Sequence, residues 1–496
     1  MRGRLPNIVF ILSDDQGAWA MHCAGARELA TPNLDRLSRE GQRFENFFCV
    51  SPVCSPARAS ILTGAIPSRH GVHDWLRSGN VDPHIFAHAA RENPYGHYAD
   101  EDEPVEYLAG QRTYTDVLHD KGYTLALSGK WHLGDSVTPQ HGFSRWFTLG
   151  AGGCMYYHPD TVENGSVNVL HGEYVTDVIT ARALEFMDEL AARKTPFYLS
   201  VHYTAPHNPW SADNHPRSLI DMYDSCSFAD IPDEPDHPDS TVSDPLRSPI
   251  HGSRLRHENL RGYYAAITAM DAGVGQLLDR LDALGIADDT LVIFTSDNGM
   301  SMGHHGVWGK GNATFPMNMY DTAVKVPFVA RFPGRIRPGI VRHELISAYD
   351  LYPTFCELAG ETFENSASLP GRSFLGLLYG EKDERPERDI VVYDEYGPVR
   401  MLRTRDYKYI HRYPYGPHEL YELARDPDEK HNLINEPAQE SRIAEMRARL
   451  QAWFSRYADP AVDGIYEDVT GSGQLTRAGI FSGKKLRYMP NPERGR

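Results

Sequence analysis

The sequence holds only six cysteines in 496 residues, at 23, 49, 54, 154, 226 and 356, and no Cys-x-x-Cys pair. A disulfide scaffold and a zinc ribbon are therefore not the basis of the fold. Most of these thiols read as small buried hydrophobes. Long apolar runs are also missing, and none approaches the roughly 18 residues that a membrane span needs. Ile8 to Leu12 is too short for a signal-peptide core, and Ser13, Asp14 and Asp15 follow it at once. As written, the chain is expected in the cytoplasm, with no membrane partner. Positive charge is in deficit: 50 Lys and Arg stand against 67 Asp and Glu, a net charge of -17. That excludes nonspecific nucleic-acid binding through phosphate neutralisation. It also offers no long-range pull on an anionic substrate, which must be held by cations local to a pocket. No internal repeat or low-complexity tract is present. What remains, 41% hydrophobic and 24% charged residues, suits a soluble globular enzyme.

Asn7 to Leu12 is a short, nearly continuous apolar strand of the kind buried on both faces. Thr31 to Glu40 carries a helix signal, with Thr31 as N-cap and Pro32 in the first turn. A second helix is predicted over Ser55 to Leu62, and strands over Tyr123 to Ser128 and Pro196 to His202. Leu260 to Leu284 has apolar residues at helical spacing, Gly285 ends it, and Thr290 to Thr295 is β-rich. Strands alternating with helices predict an α/β fold, a large and mostly parallel sheet flanked by helices. Two segments, Arg77 to Gly110 and Asp213 to His257, are too long for plain connectors and read as lids or as disordered insertions. After about residue 380 the pattern changes. Asp389 to Tyr396, Val399 to Thr404, Tyr407 to Tyr413 and His418 to Leu423 are strand-like, and Glu436 to Tyr457 reads as an amphipathic helix. A catalytic domain over 1–380 and a smaller α+β domain with an antiparallel sheet over 381–496 are expected.

Chemistry concentrates at strand ends. Asp14 and Asp15 follow the first strand, and Asp297 and Asn298 follow the strand ending near Thr295. Ligands collect at the carboxyl ends of strands in a parallel sheet. Adjacent carboxylates repel unless a hard cation relieves them, and this all-oxygen donor set suits Ca²⁺ or Mg²⁺ better than Zn²⁺. The other reading of each pair is a solvated turn. The run Ser51-Pro52-Val53-Cys54-Ser55-Pro56-Ala57-Arg58-Ala59-Ser60-Ile61-Leu62-Thr63-Gly64 contains Cys-x-Pro-x-Arg ahead of a helix. It resembles the signature of the type I formylglycine-dependent sulfatases, in the alkaline-phosphatase-like superfamily. Further blocks are similar to that family's: Thr31 to Leu37, Gly129-Lys130-Trp131-His132-Leu133-Gly134, Ala205-Pro206-His207-Asn208-Pro209, Thr295 to Gly299, Gly306 to Lys310, and Glu419 to Leu423 with Asp426, Pro427, Asn432 and Leu433. One departure is His304, where the family often has an acidic residue; His305 matches its usual histidine.

The resemblance implies a hydrolase that removes sulfate from a small substrate, most often a sulfated carbohydrate. Its nucleophile is formylglycine, made from Cys54 by a formylglycine-generating maturation enzyme and used as a hydrate beside the cation. One hydroxyl attacks sulfur, and loss of the second hydroxyl's proton regenerates the aldehyde and expels sulfate. By the same resemblance, Arg58 holds the nucleophile and its developing charge, and Lys130 and Lys310 contact sulfate oxygens. His132 is the base for the second hydroxyl, and His207 the acid for the leaving oxygen with Lys310 assisting. Asp14, Asp15, Asp297, Asn298 and the modified residue 54 form the metal shell, with Ca²⁺ expected and Mg²⁺ the alternative. His304, His305, His73 and Trp75 are expected at the substrate; Trp75 would either stack on a sugar ring or fill the core. His22 and Cys23 are expected to be buried. A phosphonate monoester or phosphodiester hydrolase using the same nucleophile, and a non-catalytic binder of sulfated glycans with an unmodified Cys54, are the competing readings. The two inserts and the tail are expected to shape substrate choice, and Gly471 to Arg496 to pack on a neighbouring subunit.

Overall fold

A computed structural model describes residues 5–86, 101–241, 255–361, 368–382, 385–396, 398–483 and 485–490. The central sheet has ten strands: β1 (Asn7–Ser13), β2 (Gln42–Phe44), β3 (Thr124–Gly129), β4 (Phe143–Leu149), β5 (Asp160–Glu163), β6 (Ser166–Val169), β7 (Phe197–His202), β8 (Thr290–Ser296), β9 (Phe328–Arg331) and β10 (Ile340–Arg342). Their order is β10-β2-β9-β8-β1-β7-β3-β4-β5-β6. The middle of the sheet, β8-β1-β7-β3-β4, is wholly parallel. Antiparallel pairings of β9, β5 and β6 extend it on its two sides, and β10 pairs parallel with β2 at one edge. In β1, Ile8, Phe10 and Leu12 enter the hydrophobic cluster on one face, and Val9 and Ile11 the cluster on the other. That two-sided burial explains its unbroken apolar run.

Five helices matter most: α1 (Pro32–Glu40), α2 (Cys54–Thr63), α3 (Val175–Ala191), α4 (Arg256–Ala283) and α5 (Glu440–Tyr457). A smaller antiparallel sheet follows, β11 (Ile390–Asp394), β12 (Val399–Arg403), β13 (Tyr407–Arg412) and β14 (Glu419–Glu422), paired in chain order. Its buried apolar residues belong to the same cluster as Ile8 and Phe10. No helix among the described residues is long and apolar enough to cross a membrane.

Several expectations need correction. Thr31 stands at the N-cap of α1, but its side chain does not cap the helix. Asp271 of α4 accepts the Asn33 and Leu34 backbone N–H groups instead, at 3.1 and 2.7 Å. His22 is exposed, drawn to Asp35 at 2.8 Å, and Cys23 is only half-buried. The described part of the second insert is packed: Ile220, Tyr223, Phe228 and Ile231 join a cluster with α4. The described tail lies against its own chain. Gln474 Nε2 donates to Gly71 O at 3.0 Å, and Gln474 Oε1 accepts the His73 N–H at 2.9 Å. Residues 87–100 and 242–254 of the inserts lie outside the described residues.

Candidate active site

The site forms at the carboxyl ends of neighbouring parallel strands, where the sheet leaves loop backbone and side chains facing one crevice. β1 and β8 run in register with Ser13 opposite Ser296, so Asp14 and Asp15 emerge beside Asp297 and Asn298. One oxygen from each of Asp14, Asp15 and Asp297 lies within 4.8 Å of the others. Asn298 Nδ2 donates to Asp15 Oδ1 at 2.8 Å, and the Asp15 N–H to Asp297 Oδ1 at 3.3 Å. Asp15 holds a left-handed backbone at φ 61°, a conformation that side chains other than glycine adopt at some cost. Two oxygens, Asp14 Oδ1 and Asn298 Oδ1, are buried without a partner. Buried carboxylates with orphan oxygens are costly unless a cation completes them. The donor set, all oxygen, fits a hard divalent ion.

Cys54 is the first residue of α2, so its Sγ stands at the helix end nearest this cluster. Lys310 Nζ lies 2.6 Å from Sγ and 2.7 Å from Asp15 Oδ1, tying residue 54 to the carboxylates. Burial pushes the Cys54 thiol up to about 12 despite Lys130 and Lys310. Unmodified, it is therefore a neutral thiol at pH 7 and a poor nucleophile. One turn along α2, Arg58 Nε donates to Asp297 Oδ2 and Nη1 to Lys130 O, both at 2.9 Å. Lys130, fully buried at the end of β3, pairs with Asp14 Oδ2. Burial pulls the Lys310 ammonium down, but Asp15, with Asp14 and Asp297 behind it, outweighs burial and holds it charged. Burial likewise raises Asp15, yet Lys310, His207 and Lys130 together keep it well below the ordinary carboxylate range.

Two histidines flank the cluster. His207 Nε2 stands 3.7 Å from Asp15 Oδ2, and its Nδ1 meets Asn208 O at 2.7 Å. Burial, reinforced by Lys130 and Lys310 and opposed by Asp15, lowers it to about 4. His132 sits at φ 55° with Nε2 3.1 Å from Leu76 O and Nδ1 buried without a partner. Burial, with Lys130 and Arg58 adding to it, holds this imidazole neutral, well below its usual range. Gly152 lies so close that a Cβ there would meet His132 Nε2 at 2.0 Å, and a Cβ on Gly153 would meet the His207 ring at 3.7 Å. Neither glycine was among the expected site residues. The signal available was the Gly150-Ala151-Gly152-Gly153 run directly after β4.

Cys54, Arg58, Lys130, Lys310, Asp14, Asp15, Asp297, Asn298 and His207 thus converge. The expected substrate residues divide. His305 stacks on Tyr320 at 3.7 Å, and His304 packs on Trp19 at 4.8 Å, both in the loop leading to Lys310. His73 and Trp75 are engaged by the tail. His73 is wholly buried with Nδ1 2.8 Å from the Tyr488 hydroxyl, and Trp75 Nε1 donates to Gly471 O at 3.2 Å. The tail contacts both side chains, and Trp75 is half-buried against the core cluster.

The sulfatase family model matches residues 6–361, and the C-terminal model of N-sulphoglucosamine sulphohydrolase matches 303–455. N-acetylglucosamine-6-O-sulfatase of Bacteroides thetaiotaomicron is 27% identical over 92% of this chain and 87% of its own. Mouse N-acetylgalactosamine-6-sulfatase is 30% identical, over 77% of this chain and 68% of its own. A structure solved in complex with its substrate D-glucosamine-2-N,6-O-disulfate superposes with a TM-score of 0.71 at 25% identity, covering 94% of this chain and all of the other.

Proposed function

Because the chain belongs to the sulfatase family and is a hydrolase of sulfate esters, we propose that it desulfates a small sulfated carbohydrate, using formylglycine made from Cys54 beside a Ca²⁺ ion, with Mg²⁺ the second choice. The observation that carries this reading is Lys310 Nζ bridging Cys54 Sγ and Asp15 Oδ1 at 2.6 and 2.7 Å. It joins the residue to be modified to the acidic cluster. The named relatives, which act on 6-sulfated amino sugars, support the carbohydrate class.

Asp14, Asp15, Asp297 and Asn298 would hold the cation. Together the hydrated aldehyde and the cation supply an attacking oxygen and charge stabilisation that a neutral thiol lacks. The chain's own residues do the rest. Lys130 and Lys310 present fixed positive charge to the sulfate oxygens in a site shielded from water. Arg58 anchors Asp297 and so keeps the residue-54 end of α2 against the cluster. His132, neutral at pH 7, accepts the proton from the second hydroxyl at its free Nδ1. His207, neutral in the free protein, gains its proton when the anionic ester binds and passes it to the leaving oxygen. Cys54 is 3% exposed, so the maturation enzyme must act before the chain closes over it.

Turnover of 4-nitrophenyl sulfate and of an aryl phosphonate by mature protein tests the reaction class, and a panel of monosaccharides sulfated at different positions tests the substrate. Sulfate turnover should dominate, and Cys54→Ala should lose at least about a thousandfold in kcat. A dominant phosphonate activity, or a Cys54→Ala enzyme with wild-type rates, overturns the reading.

A further inference from the structure

The C-terminal sheet reaches the catalytic lysine through one buried amide. Lysine has a flexible four-carbon stem, so its ammonium is placed only as well as its backbone is held. The backbone of Lys310 is held by Asn318, itself 3% exposed. Asn318 Nδ2 donates to Lys310 O at 3.2 Å and Gly311 O at 3.0 Å, and the Asn318 N–H donates to Gly311 O at 3.1 Å. The carbonyls on either side of Asn318 are gripped in turn from β13. Arg412 Nη2 donates to Met317 O at 3.1 Å, and Lys408 Nζ to Met319 O at 2.9 Å. Lys408 is wholly buried, its charge met by Asp321 and Glu429. Four residues apart on β13, which is paired on both sides, Lys408 and Arg412 share a face, so one face of a rigid sheet fixes both carbonyls.

We propose that Asn318 is a positioning residue that sets where Lys310 Nζ stands, with Lys408 and Arg412 of the C-terminal sheet as its fixed support. This rests on the reading of Lys310 as a sulfate-contacting group. The same segment carries Tyr320, on which His305 stacks, so the support extends to the rim of the site. Misplacement of a reacting group by about 1 Å can cost on the order of a hundredfold in rate, which is enough for a residue touching no substrate to matter.

The test is a double-mutant cycle on mature protein, with Asn318→Ala, Lys310→Ala and their combination assayed on 4-nitrophenyl sulfate at matched Cys54 conversion. Asn318→Ala alone should lower kcat about tenfold or more while KM stays within about twofold. Added to Lys310→Ala it should cost nothing further, because its effect passes through that side chain. An equal loss in both backgrounds would show a merely structural role and overturn the proposal. A Lys310→Ala enzyme with wild-type rates would instead overturn the reading of Lys310 itself, which the single variant reveals separately. If Asn318→Ala does not fold, Asn318→Asp, which keeps the volume and removes both amide donors, goes through the same cycle with the same expectations.

Discussion

At the scale of single residues, the site is a set of charges that only make sense together. Arg58 shows this best. It is 2% exposed and faces an Asp297 that is fully buried, and its other arm holds the carbonyl of Lys130. Breaking a buried ion pair from one side leaves the other charge unmatched and costs about 3–5 kcal/mol. Arg58→Met should therefore lower stability by that order in urea titrations of metal-free protein, and should reduce kcat more than a hundredfold. Arg58→Lys should recover part of the stability and little of the rate, because an ammonium cannot hold Asp297 and Lys130 O at once. Equal recovery of both would remove the positioning role assigned to the guanidinium. The paired aspartates were legible from their place at strand ends, and Cys54 and Arg58 through the resemblance carried by their local motif. Gly152 and Asn318 were not, because each matters through a partner brought near only by the fold.

At the scale of elements, α1 illustrates what sequence spacing hides. Pro32 and the helical repeat reveal the helix, but its first backbone N–H groups are satisfied from α4, 237 residues further on, by Asp271. Burial pushes that carboxyl up to about 6, against the pull of the Leu34 and Asn33 donors. The folded value lies above the unfolded value of about 3.9, so folded protein binds an extra proton between about pH 4 and 6. The contribution is fully present below about pH 4 and is lost as pH rises through 6, a change on the order of 2–3 kcal/mol. Asp271→Asn should flatten that part of the stability–pH curve relative to wild type, measured by urea midpoints at pH 4, 5, 6 and 7. Parallel curves for the two proteins would rule out this titration. α3 carries a helical repeat at 175, 179, 183, 186, 187 and 190, all buried, yet no motif residue lies in it. The short strands β2, β5 and β6, of three or four residues, are too brief for a pattern to single them out and exist through their pairing.

At the scale of the whole molecule, the change of pattern near residue 380 marks a change of architecture, and the packing argues against independent folding on either side of it. One hydrophobic cluster runs from Ile8 in the central sheet through Ile61 of α2 to Tyr393, Phe454 and Tyr488. Polar contacts cross the same boundary beside the nucleophile. Tyr393 N–H donates to Val50 O at 3.0 Å, Ser51 Oγ to Asp394 Oδ2 at 2.6 Å, and Ser68 Oγ to Glu395 Oε1 at 2.7 Å. Removing the C-terminal sheet would open the shared cluster and strip the acceptors from Ser51, three residues before Cys54, and from Ser68, beyond the far end of α2. Units that share a core unfold as one, whereas units that merely touch separate. The full chain should therefore show a single urea transition, with far-UV circular dichroism, tryptophan fluorescence and turnover lost together, and a fragment ending at residue 380 should fail to fold. Two separable transitions, or a stable 1–380 fragment that still binds a divalent cation, would mean that the C-terminal sheet is an appendage and that Lys408 and Arg412 cannot be fixed supports for Lys310.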